Sequence, residues 1–166
     1  MIILQPISED NFIDVLELKA SDMVAPNSES LAEAYLSLRE AIDEDELPYA
    51  EIPFAILHDE TVVGFAMVCF EDGEDVNADG EIFWLSRLMI DEAHQGKGYG
   101  KAAMKLLLDF AKTSPTGIEA KYAYTSYSHD NEGAAKTYAS LGYEPTGQIL
   151  HGEVVVKLTI ANAAQA

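Results

Sequence analysis

The stretch Gln95-Gly96-Lys97-Gly98-Tyr99-Gly100-Lys101 decides how the rest of this chain is interpreted. It follows an apolar run with the composition of a strand, and it opens a run in which apolar residues recur at helical spacing. Its glycines allow the backbone to curl so that successive N–H groups converge. The N-terminus of the following helix adds the positive end of a dipole, and two lysines add full charges. The stretch therefore predicts a site for a diphosphate.

Two other phosphate-binding loops differ from this stretch. A Walker loop requires Gly-x4-Gly-Lys-Ser/Thr, and neither serine nor threonine follows Lys97 or Lys101. A dinucleotide-binding fingerprint requires a third glycine at the position of Ala103, together with an early parallel β-α-β unit. Taken alone, the glycines are also compatible with a simple turn. The strand before them and the helix after them favour the phosphate site.

Outward from the loop, hydrophobic periodicity predicts one α/β or α+β domain over residues 1–166, with residues 161–166 as a frayed tail. The predicted order is a strand, helices, antiparallel strands, a helix, a strand, a helix and strands. Residues 81–90 form the strand before the loop. A hairpin is predicted to join residues 54–57 to 61–70, and a second one joins residues 146–150 to 154–158. Residues 71–80 are predicted to be a long polar loop.

The charge is divided unequally along the chain. The 166 residues carry a net charge of -19, and residues 1–95 hold 23 acidic and 3 basic side chains. Residues 96–166 hold 6 acidic and 7 basic side chains. This predicts that an anionic ligand binds the second part and that the field of the first part attracts a cation. The alternative is a solubilising acidic surface. Nucleic acid is excluded as a partner because its phosphates would be repelled.

Several common features are not found in this sequence. The first six residues lack the pattern of a signal peptide, and no apolar stretch approaches the roughly 20 residues of a spanning helix. The single Cys69 cannot form an internal disulfide. We therefore expect a cytoplasmic protein without membrane attachment. The four histidines show no ligand spacing, so we expect no metal.

Two motifs together resemble the GNAT superfamily of N-acetyltransferases. The family's cofactor motif, Gln/Arg-x-x-Gly-x-Gly/Ala, stands here as Gln95-x-x-Gly98-x-Gly100. Residues 131–143 are similar to its Asn-x-x-Ala-x-x-x-Tyr-x-x-x-Gly-Phe/Tyr signature. The resemblance covers about residues 1–158. It implies the GNAT fold, a mixed and mostly antiparallel sheet of six to seven strands with helices on both faces.

The resemblance also implies roles for particular residues. Acetyl-CoA would be the co-substrate, and its pantetheine arm would lie as an added strand along the backbone of Leu88, Met89 and Ile90. Its pyrophosphate would be held by the amides of Gln95, Gly96, Lys97, Gly98, Tyr99, Gly100 and Lys101. Asn131 and Ala134 would lie beside the arm, and Tyr138 would act as general acid to the sulfur. By spacing alone, Tyr138 equally suits a core position.

The general base is less clear because the sequence departs from the family pattern. Many members project a glutamate from the position of Trp84. Glu81 is three positions before Trp84. Residues an odd number of positions apart on a strand face opposite sides, so Glu81 would face away from Trp84. A more distant carboxylate reached through ordered water is the remaining option. Trp84 itself is either a core residue or a wall that packs on a cationic or aliphatic substrate.

The substrate side is suggested by Glu29 and Glu33. Their i, i+4 spacing places both carboxylates on one helix face, where they either meet solvent or dock an ammonium group. Residues 24–35 resemble the substrate region of bacterial spermine/spermidine acetyltransferases. We therefore expect a polyamine such as spermidine or spermine to accept the acetyl group. Another amine (an aminoglycoside, an amino acid or a protein N-terminus) and a non-catalytic acyl-CoA-binding module are the alternatives. A homodimer is expected by family analogy only.

Overall fold

The computed structural model describes residues 1–19 and 51–160. Glu29 and Glu33 lie outside these residues. The strands are β1 (Ile2–Pro6), β2 (Ile52–His58), β3 (Thr61–Glu71), β4 (Ile82–Ile90), β5 (Tyr122–Ser128), β6 (Glu144–Leu150) and β7 (Glu153–Thr159). The helices are α1 (Phe12–Leu16), α2 (Tyr99–Lys112) and α3 (Glu132–Ser140), with short 3-10 helices at Glu74–Val76 and Glu92–His94. No helix in the described ranges is both long and apolar enough to cross a bilayer.

The strands form one seven-stranded sheet in the order β1-β2-β3-β4-β5-β7-β6. Pairing is antiparallel between β1 and β2, β2 and β3, β5 and β7, and β6 and β7, whereas β4 and β5 run parallel. This confirms the predicted mixed and mostly antiparallel sheet. Both predicted hairpins are present, and the second one extends by two residues at its start, to Glu144.

Contacts group the described residues into two compact units. The first draws on Met1–Cys69 and Ser86–Leu107, and the second on Phe70–Leu85 and Leu108–Ala166. In the first unit, β2, β3 and α1 contribute a buried cluster of Ile7, Val15, Leu18, Ala55, Leu57, Phe65, Met67 and Met89. In the second, the buried cluster consists of Val76, Ile82, Tyr124 and Val155. Each unit thus buries apolar side chains of its own strands, which is what holds those strands in place.

The predicted polar loop at residues 71–80 contains more structure than its composition suggested. Gly73 and Asn77, at φ 74° and 53°, bracket the short helix Glu74–Val76. Val76 is 5% exposed and belongs to the core cluster of the second unit. Two apolar residues in an acidic segment, Val76 and Ala78, are too weak a signal for periodicity to detect, yet both pack in this cluster and anchor the loop.

The turn between β6 and β7 is a tight two-residue reversal. Leu150 pairs with Glu153, and the intervening His151 and Gly152 have φ values of 48° and 81°. Positive φ at both central residues is the geometry that matches the twist of a hairpin. These two residues therefore set the register next to the turn, and an irregularity between Pro145 and Ile149 shifts it farther along the hairpin.

Gly64 marks the closest approach between β3 and β4. Ile56 pairs with Gly64 while Leu57 pairs with Val62, so Val63 is the extra residue of a β-bulge. A Cβ on Gly64 would lie 2.5 Å from the Met89 carbonyl oxygen. A real Cβ cannot come that close to a backbone atom. Only glycine therefore allows the end of β4 to lie where it does.

We predict that Gly64→Ala destabilises the fold by about 1–3 kcal/mol, because overpacking against backbone forces a shift. Gly133→Ala is the matched control. Its added Cβ meets only Asn131 Oδ1, at an ordinary 3.6 Å, and the position is helical. It should therefore be neutral or stabilise by up to about 1 kcal/mol. Urea unfolding of both variants measures the difference, and equal stabilities would contradict the close approach.

Candidate active site

Asp91 fixes the junction between β4 and the glycine loop. Its carboxylate accepts the Lys19 N–H at 2.8 Å and the Ala93 N–H at 3.1 Å, and it lies 3.2 Å from His94 Nδ1. Its own N–H donates to the Val63 carbonyl at 2.8 Å. The hydrogen bond from the Lys19 N–H is the largest cause of a lowered pKa at Asp91, and His94 and the Ala93 N–H add to it, so the carboxylate stays ionised. The loop therefore starts from a defined position.

The loop's glycines are required by backbone conformation and not by lack of room. Gly96 and Gly98 have φ values of 74° and 79°, and a Cβ at either would meet nothing within 4 Å. This is the left-handed region that other residues enter only at a cost. The curled backbone leads directly into α2, as the sequence predicts.

The first turn of α2 has the features of an anion site. The Ala102 N–H donates to the Gly98 carbonyl at 3.1 Å, so the amides of Tyr99, Gly100 and Lys101 precede the first helical hydrogen bond. No acidic residue lies in this turn. Amides at a helix start favour negative charge, so a diphosphate fits the residues present.

Side chains of the loop are tied back to the protein. The Gln95 side-chain amide donates to the Ile90 carbonyl at 3.0 Å, and Lys97 Nζ lies 3.4 Å from the Ala93 carbonyl. The Tyr99 ring stacks on His58 with centroids 4.8 Å apart. These contacts tie the loop to the residues before it and to β2.

At the end of β4, the backbone N–H and C=O groups of successive residues point alternately towards β3 and away from it. The Asp91 N–H points to β3, where it bonds Val63, and the Met89 carbonyl approaches Gly64 on the same strand. Polar groups of successive strand residues point to opposite edges, so those of Leu88 and Ile90 point away from β3. Met89 is buried, whereas Leu88 and Ile90 are half-buried. Of the three predicted arm-holding residues, only these two present backbone groups to that edge.

The structure brings Asn131 and Ala134 together at the start of α3. Asn131 caps the helix, and its Oδ1 accepts the Ala134 N–H at 3.0 Å. The cap uses the side-chain oxygen and leaves its amide group for another partner. The cap thus lies about two turns before Tyr138.

Tyr138 is buried on α3, with 8% of its surface exposed. Its ring lies 5.9 Å from that of Tyr127 and 5.5 Å from that of Tyr143. Burial raises the pKa of Tyr138, a hydrogen bond between the Tyr138 and Thr125 side chains opposes the rise, and the charge of Glu153 adds to it. The phenol therefore keeps its proton at neutral pH, which is the state that a proton donor needs.

Trp84 and Glu81 have different environments. Trp84 is half-buried and packs against the core cluster of the second unit, which agrees with the core interpretation. Glu81 is exposed and precedes β4, which begins at Ile82 and not at residue 81 as predicted. Glu81 is thus a surface residue at the entrance to the strand.

Sequence reasoning missed Glu51, which lies just before β2. The Ser86 hydroxyl on β4 is 3.0 Å from each of its carboxylate oxygens and donates to them. Burial raises the pKa of Glu51 above its ordinary value, against lowering by the Ser86 hydrogen bond, the Arg87 charge and Cys69. Glu51 and Ser86 are 35 positions apart, so no local pattern reveals the pair. Among residues 1–19 and 51–160, no group of His, Cys, Asp and Glu is arranged to hold a metal ion.

Comparison with known proteins gives a consistent result. Residues 13–143 match the model of the acetyltransferase (GNAT) family. The chain is 30% identical over 155 residues to the spermine/spermidine N(1)-acetyltransferase of Bacillus subtilis, covering 92% of this chain and 95% of that relative.

Solved structures of low sequence identity share the fold. A NatC complex bound to a Gag peptide and CoA matches with a TM-score of 0.68 at 13% identity, over 96% of this chain and 99% of the other. The spermidine/spermine N-acetyltransferase of Vibrio cholerae matches with a TM-score of 0.65 at 16% identity, over 96% and 95%. Fold, motifs and family model agree, and the chain belongs to the GNAT family as an acetyl-CoA-dependent N-acetyltransferase.

Proposed function

We propose that this acetyltransferase transfers the acetyl group of acetyl-CoA to a primary amine of a polyamine, such as spermidine or spermine. The observation that carries the proposal is the similarity to a spermine/spermidine acetyltransferase along 92% of the chain. We place the reaction in the cytoplasm, as the sequence predicts. An aminoglycoside, an amino acid or a protein N-terminus is the alternative acceptor.

The distribution of charge supports a polycationic substrate. Residues 1–95 carry 23 acidic side chains against 3 basic ones. Each additional ammonium group gains from such a field, whereas a neutral amine does not. We propose that Glu29 and Glu33 dock an ammonium group and that Trp84 packs on the aliphatic chain between amines.

We propose that the cofactor is held by the two features described above. The amides of residues 95–101 would bind the pyrophosphate, because the helix start offers unpaired donors and a positive dipole end. Leu88 and Ile90 would bind the pantetheine arm as an added strand, since their backbone groups point away from β3. Asn131 and Ala134 would lie beside the arm.

We propose that Tyr138 donates a proton to the departing sulfur. When bound, acetyl-CoA supplies the acetyl group as an activated thioester. A phenol that stays protonated at neutral pH can stabilise a thiolate as it leaves. The burial that raises the pKa of Tyr138 serves this role because it disfavours early loss of the proton.

Gly98→Ala is expected to weaken acetyl-CoA binding, because it strains the curled backbone that presents the amides. Gly117→Ala is the matched control, with φ 82° and nothing within 4 Å of the added Cβ. Both variants should lose about 1–2 kcal/mol of stability, because each forces alanine into the left-handed region. Only Gly98→Ala should raise the Kd for acetyl-CoA in calorimetric titration. An equal Kd for the two variants would argue against the loop as the binding site.

Tyr138→Phe is expected to lower kcat by about 10²–10⁴-fold, because it removes the proton donor, with little change in acetyl-CoA binding. Tyr143→Phe is the control, since the Tyr143 hydroxyl is buried and has no hydrogen-bond partner in the described part of the chain. That variant should keep its kcat. Steady-state kinetics at neutral pH separates the two, and unchanged turnover in Tyr138→Phe would remove Tyr138 from the mechanism.

Ionic strength is expected to raise the KM for spermine more steeply than the KM for putrescine, because salt screens four ammonium groups in one and two in the other. Initial rates between low and physiological salt measure this difference. Parallel slopes would show that the acidic part of the chain does not select polycations. Absence of turnover with every amine tested would favour the acyl-CoA-binding module.

A further inference from the structure

We propose that Glu51 is the catalytic carboxylate that takes the proton from the substrate ammonium group, in the role that Trp84 cannot fill. The inference rests on the acetyltransferase activity and holds for any primary amine that the enzyme accepts. It therefore does not depend on the substrate being a polyamine.

The position of Glu51 is set by β4, through Ser86. The Ser86 hydroxyl lies 3.0 Å from both carboxylate oxygens, and Cys69 Sγ lies 3.8 Å from the same hydroxyl. Ser86 is two residues after Trp84, so both side chains leave the same face of the strand. The carboxylate thus reaches, from the residue before β2, the face of β4 that carries Trp84 and Ser86.

The direction of the strand relative to the loop places this carboxylate near the reacting end. The diphosphate loop begins at Gln95, and the residues proposed to bind the arm are Ile90 and then Leu88. A chain that leaves the loop along these residues runs towards Ser86. Strand residues advance about 3.3 Å each, so Ser86 lies roughly 7 Å beyond Leu88. Ser86 and Glu51 would therefore lie near the end of the arm that is farthest from the loop.

The environment of Glu51 suits a proton acceptor. The carboxylate is half-buried, and its hydrogen-bond donors among the described residues are the Ser86 hydroxyl and the Cys69 thiol. Within the same residues, no lysine, arginine or histidine nitrogen lies within 4.0 Å of it. A single hydroxyl proton cannot satisfy both oxygens at once. The carboxylate can therefore still accept a hydrogen bond from an ammonium group. Its pKa is raised towards neutral pH, where the pKa of an efficient base lies.

Two protons leave the amine nitrogen in the overall reaction. The first passes from the ammonium group to Glu51, which later releases it to solvent. The neutral nitrogen then forms its bond to the acetyl carbon as the carbon–sulfur bond breaks. The second nitrogen proton balances the one that the sulfur receives, so the products are the acetamide and the free thiol.

The test compares Glu51→Gln with the wild-type enzyme across pH. At pH 7 the variant should lose about 10²–10⁴-fold in kcat/KM for spermidine. The loss should shrink as the pH approaches about 10, where a primary amine deprotonates unaided. The affinity for acetyl-CoA should not change. Glu60→Gln, an exposed carboxylate on the turn between β2 and β3, controls for the lost charge and should keep its activity.

Thermal unfolding supplies a readout that does not depend on turnover. A carboxylate whose pKa is raised by folding makes the folded state less stable as the pH rises above its ordinary value of 4.5. Glu51→Gln should therefore match or exceed the wild-type Tm at pH 7, and this advantage should vanish near pH 4. Ser86→Ala should shift the acid limb of kcat/KM to higher pH, because the hydroxyl lowers the pKa of Glu51.

The outcomes separate the proposals. Unchanged kcat/KM in Glu51→Gln, or a loss that is equal at every pH and accompanied by a lower Tm, would overturn the role of Glu51. If the wild-type enzyme does not acetylate spermidine, the polyamine proposal fails, and the same pH comparison is made with whichever of lysine, putrescine or an aminoglycoside it acetylates. A loss confined to low and neutral pH, with stability retained, supports Glu51 as the base.

Discussion

Asp91 accepts two backbone hydrogen bonds where β4 ends, and the position of the diphosphate loop depends on them. One comes from Lys19, far away in sequence, and the other from Ala93, in the short helix that precedes the loop. The Asp91 N–H completes the junction by bonding Val63 at the bulge in β3. The bulge is tolerated because Gly64 has no Cβ to meet the Met89 carbonyl. A glycine and a carboxylate thus determine where an anion can bind several residues later.

Burial acts in the same direction on two ionisable groups and leaves them in different states. It raises the pKa of Tyr138 from an already high value, so that the phenol holds its proton at neutral pH. It raises the pKa of Glu51 from a low value towards neutral pH, and the carboxylate remains able to accept a proton. One physical cause, desolvation of the charged form, therefore suits one group to give a proton and the other to take one.

The features that could be predicted from the sequence are those that depend on residues close together in the chain. The strand before the loop, the glycine loop from Gln95 to Lys101 and the helix after it each follow from local spacing, and the structure contains all three. Glu51 was not predictable, because its partner Ser86 is on another strand and only the lateral order of the sheet joins them. The anchoring of the acidic segment by Val76 and Ala78 could not be predicted for a different reason, since two apolar residues are too few to produce a period.

The tight reversal at His151 and Gly152 has a consequence for the order of assembly. Leu150 and Glu153 meet after the chain closes a loop of only two residues, whereas Ile2 and His58 pair across 55 intervening positions. Closing a longer loop costs more chain entropy before any contact compensates for it. The C-terminal hairpin can therefore nucleate while the polypeptide is still largely open, and the N-terminal strand joins the sheet edge late.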